Sequence, residues 1–149
     1  NSPPVGDRGS ARLSGVARLR CGCGHGSATA QSIKLSHAAG DDVLREFGRR
    51  LSENIRPADL ACRYGGEEFI MALPACTEFE AKQLAERIRA AVADTPVGYA
   101  ERNIPVTLSI GISIFNGVGN DVDAAIKEAD KALYYCKQNG RNCVSTLPA

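Results

Sequence analysis

The stretch Cys62-Arg63-Tyr64-Gly65-Gly66-Glu67-Glu68-Phe69-Ile70 decides the reading of this chain. Two adjacent glycines stand between residues 60–64 and 69–73, both of which read as strands. Paired glycines supply the positive φ angles that primed turns require, so the run predicts a tight β-hairpin. Two glutamates directly after such a turn repel each other. A divalent cation would relieve that repulsion, and bare glycines would let a phosphate chain lie close to the backbone. The plainer alternative is a solvated acidic turn.

Upstream of the hairpin, Asp41 and Asp42 are placed to cap a helix with Val43, Leu44, Phe47, Leu51 and Ile55 on its apolar face, and Pro57 ends it at Arg56. Downstream, Thr77-Glu78-Phe79-Glu80 is a capping box for a second helix that carries Leu84, Ala85, Ile88, Ala91 and Val92 on one side and ends before Pro96. Val106, Leu108, Ile110, Ile112 and Ile114 then alternate with Thr107, Ser109, Gly111 and Ser113, which predicts a strand in a sheet with one covered face. A third helix is expected from Asp121, with Val122, Ile126, Ala129, Leu133 and Cys136 at helical spacing and a left-handed cap at Asn139-Gly140. Residues 142–145 read as a short closing strand. The order predicts an α+β fold, its helices on one face of a mixed, largely antiparallel sheet.

The 149 residues, 44% of them apolar, suffice for one core, and the formal net charge of +1 gives no reason to expect a polyanion partner. The charge is uneven. Residues 1–40 hold five basic side chains and one acid (+4), whereas residues 41–149 hold 13 basic and 16 acidic ones (−3). The first segment also holds seven of the 15 glycines and shows no clear period. Residues 1–36 are therefore expected to be irregular, with the folded domain spanning 37–149. No aromatic residue precedes Phe47, so this basic segment lacks the stacking groups of a nucleic-acid binder. Cys21 and Cys23 are too close together for a usual zinc pair, and the six cysteines read as reduced thiols. No apolar run is long enough to span a bilayer, and no secretory leader is recognisable.

Gly65-Gly66-Glu67-Glu68-Phe69 resembles the signature of GGDEF domains, the diguanylate cyclases, in the GGEEF form. A second matching motif, Lys137-x-x-Gly140-Arg141-Asn142, strengthens the resemblance, which runs from about His37 to Val144. It implies a ferredoxin-like, palm-like nucleotide-cyclase core. It also implies condensation of two GTP molecules into cyclic di-GMP with release of pyrophosphate, in a cytoplasmic homodimer using Mg2+ or Mn2+, with neither nucleic-acid nor membrane contact by the domain. By the resemblance, Glu67 is a metal ligand and Glu68 supports metal binding or hydroxyl deprotonation. Gly65 and Gly66 admit the nucleotide, Lys137 and Arg141 contact its terminal phosphates, and Asp41 and Leu44 meet the guanine. The pairing of a compact ammonium with a forked guanidinium suits a triphosphate. Lys137 in a last helical turn also favours the helix dipole with no ligand at all.

Arg56-Pro57-Ala58-Asp59, five residues before the hairpin, matches the Arg-x-x-Asp product-inhibition site of the family, with Arg87 as a secondary arginine. An arginine pairs with guanine O6 and N7, and a carboxylate accepts from N1–H and the amino group. Otherwise the two are a surface pair around a helix stop. The family places a second metal carboxylate in an Asp-x-Asp motif on its first strand. Between Asp7 and Asp41 this chain contains no Asp, Glu or Asn. The first strand is therefore expected to be missing or aberrant. Two readings follow, a product-inhibited cyclase or a catalytically impaired domain that serves as a cyclic di-GMP receptor. A ferredoxin-like RNA-binding module is the third, and it lacks stacking aromatics on its strands.

Overall fold

The structure, a computed structural model, describes residues 13–23, 37–114 and 122–147. The elements are β1 (Leu13–Cys23), α1 (His37–Asn54), β2 (Leu60–Gly65), β3 (Glu68–Pro74), α2 (Glu78–Ala93), β4 (Val97–Tyr99), β5 (Arg102–Ile104), β6 (Val106–Ile114), α3 (Val122–Gln138) and β7 (Val144–Thr146). Five strands form one sheet in the order β2-β3-β1-β6-β7, and β4 and β5 form a separate two-stranded ribbon. β1 is antiparallel to both β3 and β6, while β7 is parallel to β6. This is the ferredoxin-like, palm-like core the sequence implies.

β1 corrects the expectation that residues 1–36 are irregular and the first strand missing. Eleven of those residues form the central strand of the sheet. Ala17, Leu19 and Cys21 point into the main core, while Val16 packs with Ala125 and Ala129 of α3. In β1 the alternation of Ala17, Leu19 and Cys21 with Arg18 and Arg20 lasts only five residues and is flanked by Gly15 and Gly22, which weaken it as a strand signal.

The same packing corrects the second expectation, that helices cover one face. α1 contributes Val43, Phe47 and Leu51 to the main core, and α2 contributes Ala81, Leu84, Ala85, Ile88 and Val92. These meet the Val106, Leu108, Ile110 and Ile112 side of β6, and the Phe47 and Phe69 rings make a tilted contact with centroids 4.6 Å apart. α3 lies on the opposite face. There a Cβ on Gly111 would stand 2.2 Å from the Ala129 carbonyl oxygen and 2.3 Å from the Leu133 nitrogen. Only a residue without a side chain lets α3 come this close to β6.

The local start and stop signals hold in part. Thr77 and Glu80 form both bonds of the capping box that opens α2. The end of α3 is a Schellman turn, with Gly140 at φ +97° and the Arg141 N–H donating to the Cys136 carbonyl at 2.8 Å. α1 begins at His37, so Asp41 lies inside the helix rather than at its cap. In the hairpin, Gly66 alone of the two glycines has positive φ (+47°), the pattern of a type II′ rather than a type I′ turn. Cys136 and Cys143 are joined as a disulfide, with Cα atoms 5.8 Å apart, where free thiols were expected; Cys62 and Cys76 keep free thiols.

Candidate functional site

The tip of the β2–β3 hairpin is held against the side of β1. The Cys21 N–H donates to the Glu67 carbonyl at 3.1 Å, and Arg63 Nε donates to the Gly66 carbonyl at 2.8 Å. Gly65 and Gly66 are exposed, and a Cβ added to either would meet nothing within 4 Å. The backbone at the tip therefore borders open space, as close approach of a ligand requires.

What faces the two glutamates is unexpected. Arg20 reaches Glu67 Oε1 through Nε (2.9 Å) and Nη2 (2.8 Å), and Arg18 Nη2 reaches Glu68 Oε2 at 2.8 Å. The Arg18 side chain is only 7% exposed, its guanidinium sits 4.1 Å from the centre of the Tyr64 ring, and its Nε lies 3.2 Å from Asp130 Oδ1. That Nε is buried and lacks the alignment of a hydrogen bond. β1 thus presents guanidinium groups where a metal-binding strand would present carboxylates.

α3 closes the arrangement. Burial lowers the pKa of the Lys137 ammonium below the ordinary lysine range. Arg20 and Arg141 push the same way, and Glu68 and Asp130 oppose them. The lysine in the last turn of α3 therefore shares one electrostatic environment with the hairpin and β1. The following loop is fixed in place. Asn142 donates its N–H to Ser109 Oγ (3.1 Å) and accepts from Arg89 Nη1 at Oδ1 (2.9 Å). The Cys136–Cys143 link spans Lys137 to Asn142.

Of the residues singled out in the sequence, Glu67, Glu68, Gly65, Gly66, Lys137 and Arg141 are thus gathered at one end of the sheet. Asp41 is exposed on α1, while Leu44 packs against the main core. Arg18, Arg20 and Asp130 were not anticipated. The seven-residue spacing of Asp130 and Lys137 on one helix face was the available signal for Asp130.

Arg56, Asp59 and Arg87 form a second group. Asp59 has a fully buried side chain that accepts from the Arg56 backbone N–H (2.9 Å) and from its Nε and Nη2 (3.0 and 2.6 Å). Arg56 Nη2 also donates to the Pro74 carbonyl at 2.9 Å. Asp59, the principal partner, raises the Arg56 pKa, keeping it charged. Arg87 donates to the carbonyl of Asn54, two residues before Arg56. The carboxylate is turned inward, so it positions Arg56 rather than facing solvent itself. Pro74 and Glu68 mark the two ends of β3, which puts the groups about 20 Å apart at roughly 3.3 Å per residue.

The residues present do not form a ready-made divalent-cation site. Among the described residues, no three His, Cys, Asp or Glu side chains gather as a metal site. Both hairpin carboxylates are instead neutralised by arginine. A cation held by one or two carboxylates and the phosphates of a substrate would have to compete with the guanidinium in contact with each carboxylate.

A sheet in this order, carrying an acidic glycine hairpin, defines a nucleotide-cyclase, palm-like fold. Residues 34–143 match the family described as "Diguanylate cyclase, GGDEF domain", and the chain belongs to that family. The chain is 46% identical over 112 residues to the response regulator PleD of Caulobacter vibrioides, an alignment covering 74% of this chain and 25% of PleD. It is 46% identical over 109 residues to diguanylate cyclase A of Treponema denticola, covering 73% of this chain and 29% of that protein. The chain therefore spans about a quarter of the length of these relatives. Among solved structures it resembles the GGDEF domain of DgcB from Caulobacter crescentus in complex with c-di-GMP, with TM-score 0.73, 27% identity, and coverage of 89% of this chain and 77% of that one. It also resembles the active GGEEF domain of a diguanylate cyclase from Vibrio cholerae, with TM-score 0.71, 27% identity, and coverage of 91% and 85%. Among the described residues no helix is long and apolar enough to cross a membrane.

Proposed function

We propose that this domain is a GGDEF-family receptor for cyclic di-GMP, binding through Arg56, Asp59 and Arg87, with condensing chemistry lost at the hairpin. One observation carries the reading: Arg18 and Arg20 occupy the carboxylates that the reaction would need for its metal. Without a divalent cation, charge developing on the α-phosphate and the pyrophosphate leaving group goes unneutralised. The Arg56 group is built independently of that damage. Asp59 holds the Arg56 guanidinium in place while part of it remains exposed, and Arg87 is anchored close by. Nη1 is the Arg56 nitrogen left over by Asp59 and Pro74, and a guanine base offers O6 and N7 to it. The reading puts the domain in the cytoplasm, where guanine nucleotides are held.

Calorimetric titration with cyclic di-GMP tests this. Saturable binding is expected, and Arg56→Ala should weaken it at least about 10-fold, the equivalent of about 1.4 kcal/mol for one charged arginine–guanine contact. Unchanged affinity in that variant removes the receptor assignment.

A second reading is supported by Glu67, Glu68, Lys137 and Arg141, which keep the family's pattern, and by Arg20, whose side chain is 41% exposed. In it, magnesium or manganese displaces Arg20, two GTP-loaded copies meet as a homodimer, and cyclic di-GMP forms, later inhibiting through Arg56 and Asp59. Incubation with GTP and Mg2+ or Mn2+ separates the two. No cyclic di-GMP is expected at any protein concentration, and its formation would establish the cyclase.

A further inference from the structure

We infer that Arg18 and Arg20 stand in for the divalent cation, so that the hairpin binds the triphosphate of a guanosine nucleotide with no metal ion. The inference rests on the family reading above but concerns the hairpin, not the Arg56 group. Five cations, Arg18, Arg20, Arg63, Lys137 and Arg141, lie with three anions, Glu67, Glu68 and Asp130, at this end of the sheet. A metal site of the usual kind is acidic until its cation arrives. This one carries its positive charge covalently on β1, β2 and the end of α3, with an excess of two.

The geometry favours phosphate over any uncharged ligand. A guanidinium has five N–H donors in a planar fork, and Glu67 takes two of those on Arg20. The fork is therefore large enough to bridge a carboxylate and a phosphate oxygen. The open backbone at Gly65 and Gly66 lies beside it, and Gly66 holds a positive φ that keeps that surface free of side chains. Arg18 supports the cluster from below. It is nine-tenths buried, and its Nε has no aligned acceptor. A buried guanidinium with an unused donor gains most from added negative charge nearby.

The consequence differs in sign from that of a metal-dependent site. Magnesium screens the charge of a nucleoside triphosphate, so it should compete with fixed guanidinium groups rather than help them. Titration of the intact chain with GTP, once in EDTA and once in Mg2+, reads this directly. The affinity in EDTA should equal or exceed that in Mg2+, and inorganic tripolyphosphate should compete. Arg20→Ala, at a half-exposed position that leaves the fold intact by circular dichroism, should weaken GTP binding at least fivefold in EDTA. Inorganic tripolyphosphate, which carries no guanine for Arg56 to read, should lose affinity in Arg20→Ala as GTP does, which separates failure here from failure of the receptor reading. Binding that requires Mg2+, binding indifferent to Arg20→Ala, or no GTP binding under either condition overturns the inference.

Discussion

Replacing Arg18 by methionine keeps the apolar stem of the side chain in its buried slot and deletes the guanidinium. Three interactions go with it. The charge-assisted bond to Glu68 at 2.8 Å contributes about 1.5–3 kcal/mol. Stacking on Tyr64 adds about 0.5–1 kcal/mol, since that ring is largely exposed. The pair with Asp130, whose side chain is 46% exposed, adds at most about 1 kcal/mol. Glu68 keeps enough exposure to recover some hydration, so the expected loss is about 3 kcal/mol. In a chain of this length that lowers Tm by about 6–12 °C. Thermal and urea unfolding followed by circular dichroism measure it. The informative quantity is the double-mutant cycle with Glu68→Gln, for which a coupling of at least about 1.5 kcal/mol is expected. Coupling below about 0.3 kcal/mol would mean that residues 13–23 do not lie beside the hairpin in this register, and the account of the site would fail with it.

Gly111→Ala forces a methyl group into the backbone of α3 and should cost about 3 kcal/mol or prevent folding, whereas Gly98→Ala, where nothing stands within 4 Å, should cost under about 1 kcal/mol; denaturant midpoints compare them. Reducing the Cys136–Cys143 disulfide, or replacing Cys143 by serine, releases a loop of sequence separation 7 and should cost about 2.4 kcal/mol by chain entropy; unfolding with and without reductant checks this. The bond from Arg49, joined by that from Arg50, lowers the Glu46 carboxyl pKa to about 2 from 4.5. A depressed carboxylate stabilises the fold above its unfolded pKa and loses that contribution as pH falls, here between about 4.5 and about 2. After solvent screening the contribution is about 1 kcal/mol, and Glu46→Gln should flatten the acid limb of a stability–pH curve by that amount.

The legible parts of the sequence were those whose physics is local. The hairpin announced itself through its glycines, α2 through Thr77 and Glu80, and the end of α3 through Asn139 and Gly140. β6 was legible because its Val106–Ile114 alternation continues over nine residues. β1 was not, because its alternation of Ala17, Leu19 and Cys21 with Arg18 and Arg20 lasts only five residues and is flanked by glycines. The role of Arg18 and Arg20 depends on partners 50 and 47 residues away, which no window of sequence contains. The opposite-face position of α3 turns on Gly111, whose missing side chain reads as ordinary alternation until the helix is placed above it. The ribbon of β4 and β5 is only three residues per strand, too short for any period to register. Its turn places Ala100 and Glu101 at positive φ without a glycine to mark it.

The claim on which the rest depends is that arginines from β1 have replaced a metal at the hairpin. Titration of the intact chain with Mn2+, followed by the electron paramagnetic resonance signal of the free ion, tests it without reference to catalysis. The account predicts no stoichiometric site at submillimolar Mn2+, and the appearance of one in Arg20→Asp. A stoichiometric Mn2+ site in the unmodified chain, abolished by Glu67→Gln, would contradict it.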